Sequence, residues 1–197
     1  METTLHAGSI NRSSDDASPV TWRGTLEYIH IAELAAVEME ELQQALLLEG
    51  IGIEGDRYAT AKGYYSYKPH ADRQVTLIEI ETLEALQRDH GTVLLPHESR
   101  RNLTTRGVPL NHLVGKHFRV GSTVLYGGRL NVPCKYLEQL LDRPLFNRLL
   151  NRSGLNCRII KGGTIKKGDP IGPRRGTGGV RSEGNAPADE GFNQIRD

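Results

Sequence analysis

Two stretches carry residue types that could do chemistry together: Val132-Pro133-Cys134-Lys135-Tyr136-Leu137-Glu138 and Arg100-Arg101-Asn102. In the first, a proline fixes φ and removes a donor, a thiol follows, and an apolar helical pattern (Tyr136, Leu137, Leu140, Leu141) begins at once. The spacing predicts a short helix with Cys134 near its first turn. Free N–H groups and the positive end of the helix dipole favour a thiolate there, and Lys135 adds a cation next door. A thiolate attacks electrophiles, carries sulfur or binds soft metals. The other reading of Cys134 is a small buried hydrophobe, the commoner fate of a free cysteine, and the local sequence leaves both open. Arg100-Arg101-Asn102 offers guanidiniums plus an amide, a set suited to phosphate or a heterocycle edge, or else a solvated basic turn.

Other candidates are weaker. Asp56-Arg57 reads as an ion pair fixing a glycine turn. His70 and His117 have no partner at zinc spacing, and no Walker A, dinucleotide fingerprint or Ser-His-Asp context is present. Cys157 lies mid-strand with Leu155 and Ile159 and reads as core.

The elements that must position these residues are mostly strands. Alternation predicts strands over Gly24–Ile31, Arg73–Ile78, Asn102–Thr105, His117–Val120, Thr123–Tyr126 and Leu155–Lys161, with a last strand near Ile171. Gly121-Ser122 is a two-residue hairpin signal. Helical periodicity predicts Ile80–His90, stopped by Gly91, and a second short helix from Pro144 to Leu150 after that of Cys134. Glu33–Leu48 reads as an acidic helix or an irregular loop. Gly50 to Tyr58 reads as tight turns, and Ala59 to Ala71 as an aromatic loop of the kind that covers a site or shields a core edge. Without regular βαβ alternation, a doubly wound sheet is not expected. A closed or strongly bent β-barrel with short helices at its ends fits better.

Composition bounds the rest. The 197 residues suit one domain with polar tails, expected at 1–21 and 173–197 around a domain over 22–172. Lys+Arg 25 against Asp+Glu 24 gives a net charge of +1, so neither nucleic acid nor a membrane surface is an expected partner. Charge is uneven, however: Glu27–Glu54 is acidic and Arg100–Lys167 is rich in Arg and Lys, so an anionic ligand is expected on the latter. No apolar run is long enough to span a membrane and no signal peptide is evident. A soluble, cytoplasmic protein is expected, with its two cysteines reduced.

Taken in order, Gly52-x-x-Gly55-Asp56-Arg57, Arg73-Gln74-Val75-Thr76-Leu77-Ile78, Arg100-Arg101-Asn102-Leu103, Leu113-Val114-Gly115-Lys116, Pro133-Cys134-x-x-Leu137 and Gly162-Gly163-x-Ile165-x-x-Gly168-Asp169 resemble the MOSC domain, found at the C-terminal end of molybdenum-cofactor sulfurases. The resemblance covers about Trp22 to Gly172. It implies a β-rich fold around a pyruvate-kinase-type small barrel. It implies that Cys134 coordinates molybdenum or carries sulfur as a persulfide. It also implies that Arg57, Arg73, Arg100 and Asn102 line the pocket for the pterin's phosphate and heterocycle, and Lys135, the cation beside the thiol, is a further cofactor-binding candidate. Three functions follow as alternatives: a molybdenum-cofactor protein, with oxidoreductase activity on N-hydroxylated compounds as its candidate reaction; a sulfur carrier or transferase; or an inert binding module. Expected partners are a separate cysteine desulfurase or electron-transfer protein. Pyridoxal phosphate is not expected in this chain, although the larger fused relatives carry it.

Overall fold

The structure, a computed structural model, describes residues 22–174. Its strands in chain order are β1 (Gly24–Ile31), β2 (Glu40–Leu42), β3 (Gln44–Leu48), β4 (Gly52–Ile53), β5 (Val75–Glu79), β6 (Leu103–Arg106), β7 (His117–Val120), β8 (Thr123–Leu130), β9 (Leu155–Lys161), β10 (Gly163–Lys166) and β11 (Pro170–Pro173). The α-helices among the described residues are α1 (Ile80–His90) and α2 (Lys135–Leu141). Neighbour order β1-β11-β7-β8-β9-β5-β6 returns to β1 and closes a seven-strand barrel, the expected fold class. β2 extends the sheet beyond β1. A three-stranded sheet, β10-β3-β4, adds Ala45, Leu47, Ile53 and Ile165 to the barrel core. Among the described strands only β5 and β6 pair in parallel, joined by α1.

Alternation decides what fills the barrel. Val75 and Leu77 of β5, Leu155 and Cys157 of β9, and Leu125 of β8 point inward. Their neighbours point out, where Ile78 joins Leu83, Leu86, Leu94, Leu137, Leu145 and Leu149 in a second apolar cluster that seats α1 and α2 on the wall. One irregularity matters for the site. In β8, Gly127 pairs with Cys157 but Arg129 pairs with Asn156, so Gly128 is a bulge residue that flips Arg129 from the inside to the outside. A side chain on Gly127 would run into backbone, and one on Gly128 would displace the Asp72 carboxylate. A Cβ on Gly127 would meet the Leu113 carbonyl at 2.2 Å, and one on Gly128 would meet the Asp72 carboxyl carbon at 2.0 Å.

The structure corrects three local expectations. Residues 33–48 are not helical: bends lead into β2 and β3, because Ala45 and Leu47 alternate into the core while Gln44 and Leu46 do not. The predicted helix over 144–150 is reduced to a 3-10 turn at Asn147–Leu149. The strand expected from Arg73 begins at Val75, since Ala71–Arg73 forms a 3-10 turn capped by His70. The expected N-terminal tail and residues 175–197 of the expected C-terminal tail lie outside the described residues. No helix among the described residues is long and apolar enough to cross a membrane.

Two predictions arise from the core. Cys157 is fully buried, and burial pushes its thiol well up. Cys157→Ala should cost about 1–2 kcal/mol in denaturant unfolding, and Cys157 should resist alkylation until the chain unfolds. His30 is 2% exposed, and its Nδ1 has no partner among the described residues. Burial pulls its pKa down from 6.5 to about 4, with His97 and Lys167 acting in the same sense and Glu41 against them. The imidazole is therefore neutral in the fold and takes a proton on unfolding. Stability is full above about pH 6.5 and is lost as pH falls towards 4, by up to roughly 3 kcal/mol. Urea midpoints should show this slope in the wild type and a flatter one in His30→Gln.

Candidate functional site

A cavity of about 320 Å³ opens on the outer wall of the barrel. Its floor is a row of outward residues in register across three strands: Thr76 of β5, Asn156 of β9 and Arg129 of β8. Turns at the strand ends supply its sides. Arg57 and Tyr58 follow β4, Arg100 and Arg101 precede β6, and Tyr64, Tyr65 and Arg73 come from the connection into β5. Asn131 to Leu137 closes the remaining side and brings in Cys134. The lining holds five arginines and no carboxylate.

Cys134 stands at the cap position of α2, in extended conformation (φ −131°, ψ 148°), and its carbonyl accepts from the Leu137 N–H at 3.1 Å. Its side chain makes no capping bond. The half-buried thiol faces the cavity and packs beside the outer apolar cluster. Tyr65 lines the cavity with it: burial first, then the nearby Cys134 sulfur, raises the pKa of the Tyr65 hydroxyl. Tyr65 is itself well held. Its ring meets Tyr64 edge-on at 4.9 Å, Tyr64 stacks on Tyr136 at 4.0 Å, and Arg73 Nη1 donates to the Tyr65 carbonyl at 2.9 Å. The aromatic loop seen in the sequence is a cover.

Of the residues singled out from sequence, Cys134, Arg57, Arg73 and Arg100 line this one cavity. Asn102 and Lys135 do not. Lys135 is exposed on α2, next to the site but outside it. Asn102 is 1% exposed, and its amide is spent inside the protein: Oδ1 accepts from the Thr76 N–H at 3.1 Å and hydroxyl at 2.9 Å, while Nδ2 donates to the His30 carbonyl and to Asp56 Oδ1, each at 3.2 Å. It braces the frame that carries Arg100 and Arg101. Asp56, 1% exposed, is the hub of that frame. Oδ1 also accepts from the Ala32 N–H and from Arg57, and Oδ2 from the Tyr58 N–H. Arg57 in turn donates to the Arg100 carbonyl at 3.1 Å, holding a residue whose φ is +62°.

Sequence reasoning passed over Arg101, Arg129, Asn131, Asn156 and Tyr65. Arg101 stood in the marked triplet, but adjacent residues cannot be told apart by motif alone. Burial pulls its guanidinium down to about 10, with the nearby Cys134 sulfur acting the other way. Burial, then the charge of Arg57, also lowers Arg100. For Arg129 the signal was the Gly127-Gly128 pair before it, the mark of a bulge. Among the described residues no group of three or more His, Cys, Asp or Glu gathers as a metal site.

A family model described as the MOSC domain matches residues 53–172. Among curated proteins none matches the chain. Solved structures with a similar fold include the YuaD protein from Bacillus subtilis (TM-score 0.66, 20% identity, 79% of this chain and 98% of that one). YiiM from Geobacillus stearothermophilus (TM-score 0.57, 16%, 79% and 77%) and YiiM from Escherichia coli (TM-score 0.57, 17%, 82% and 73%) are also similar. At these identities the likeness is one of fold.

Proposed function

The chain belongs to the MOSC-domain family, and from that premise we propose that it binds a molybdenum–pterin cofactor in the Cys134 cavity, with the sulfur as a metal ligand. The donor set carries this reading: one thiol shares the cavity with five guanidiniums and no carboxylate. Thiolates suit soft metals and guanidiniums suit phosphate, so the residues fit a group that joins the two. Arg57, Arg73, Arg100 and Arg101 would supply the positive field, to which Lys135 adds from outside. Asn102 would act through the frame, not by contact. Tyr64, Tyr65 and Tyr136 would exclude water. The cofactor, when bound, supplies redox chemistry at the metal, such as reduction of an N-hydroxylated compound by a separate electron donor. Protein purified from a host that makes the cofactor should contain molybdenum near one atom per chain; metal-free protein from such a host would overturn the reading.

A second reading is a sulfur carrier, because Cys134 is a free thiol, half-buried and facing the cavity, where a sulfane sulfur could be held on it. Persulfide labelling at Cys134 after incubation with a cysteine desulfurase and cysteine, in protein without molybdenum, is the pattern expected of a carrier. Neither label nor metal is the pattern of an inert binding module.

A further inference from the structure

Four of the five cavity guanidiniums are engaged by the protein itself. Arg57 is held by Asp56 and the Arg100 carbonyl, Arg73 by the carbonyls of Tyr65 and Lys68, and Arg100 by the carbonyl of Val37. Arg101 donates to Ser99, Ser153 and Asn131. Arg129 differs. Among the described residues it has no hydrogen-bond or ion-pair partner, and its Nε is buried without an acceptor. A charged donor atom buried without a partner is costly, and here the bulge at Gly128 turns Arg129 to the face of the sheet that floors the cavity.

The neighbouring amides are oriented to match. Arginine has no acceptor, so the Asn131 oxygen must face Arg101 Nη2, at 2.8 Å. That turns the Asn131 NH₂ onto Asn156 Oδ1, also at 2.8 Å. The Asn156 NH₂ is left as the group still able to donate. Register sets Asn156 directly opposite Arg129, so two donors stand side by side on the cavity floor with no carboxylate in the lining.

We propose that Arg129 and Asn156 form an oxyanion subsite that takes a phosphate group, while the other four arginines shape the cavity and its field. The subsite deepens the cofactor reading and rests on the cavity being the ligand site. Inorganic phosphate is the probe, with thermal unfolding of the full chain measured against phosphate at constant ionic strength. Phosphate should raise the wild-type midpoint. Arg129→Met should weaken apparent phosphate affinity at least about tenfold. Asn156→Asp should do the same, because its carboxylate would pair with Arg129 while still accepting from Asn131. Arg119→Met, on an exposed strand position, should behave as wild type. If one site variant fails to fold, the other carries the test. No phosphate effect on the wild type, or wild-type affinity in either folded site variant, overturns the subsite. The two readings fail separately: loss of affinity in the variants with no molybdenum in the wild type keeps the subsite and removes the cofactor, and the reverse pattern removes only the subsite.

Discussion

Cys134→Ser is expected to abolish persulfide formation and to lower the molybdenum content of protein from a cofactor-competent host by more than about a hundredfold, since changes even to groups behind a metal ligand cost ten- to hundredfold. Serine keeps the size and the place at the start of α2. What changes is the donor: a hard, poorly ionised hydroxyl replaces a soft sulfur beside five guanidiniums. The fold should be unaffected, because Cys134 is half-buried and its side chain caps nothing. Elemental analysis and persulfide labelling, with an unfolding curve as control, make the measurement. Wild-type molybdenum content and activity in Cys134→Ser would remove the sulfur from the proposed site and leave a cofactor held without it.

Asp56→Ala should be the most destabilising single change in the frame behind the cavity, by about 3–5 kcal/mol. The carboxylate is buried and accepts from the Ala32 N–H, the Tyr58 N–H, Arg57 Nη1 and Asn102 Nδ2. Its removal leaves a buried guanidinium without its counter-ion and orphans two backbone donors. A fall in melting temperature of roughly 10 °C is expected for a chain of this size. Asp56→Asn keeps the shape and part of the acceptor capacity, so it should fall between wild type and Ala. Arg57 would no longer hold the Arg100 carbonyl in place, so phosphate binding should weaken along with stability. An Asp56→Ala protein as stable as wild type would show that the four contacts carry no net energy.

Local signals were enough for several elements. α1 begins and ends where its periodicity and Gly91 place it, because Leu83 and Leu86 need one apolar face and glycine adopts the left-handed cap at φ +59°. The β7–β8 hairpin and the inward Cys157 follow from period-two alternation, which needs only near neighbours. The helix start at Cys134 was likewise readable from Pro133 and the apolar pattern after it. In contrast, residues 33–48 carry apolar positions compatible with a helix, and pairing with β1, β4 and β10 decided for strands. The pairing with β10 is set by residues far away in the chain.

The inventory of the cavity divides along the same line. By itself the sequence determined which chemistry is present: a thiol at a helix start, arginines in an acid-poor half of the chain, and the order of motifs that marks the family. Which of these side chains meet was decided by tertiary structure. A bulge at Gly128 sends Arg129 outward, against the alternation that Leu125 and Gly127 establish. Burial commits Asn102 to Thr76, His30 and Asp56, although its place beside two arginines reads as a ligand contact. Side-chain direction in a strand depends on register, and hydrogen-bond commitment depends on what burial leaves unpaired; the Gly127-Gly128 pair marks the bulge, but which groups Arg129 and Asn102 then meet is set by strand pairing across the barrel.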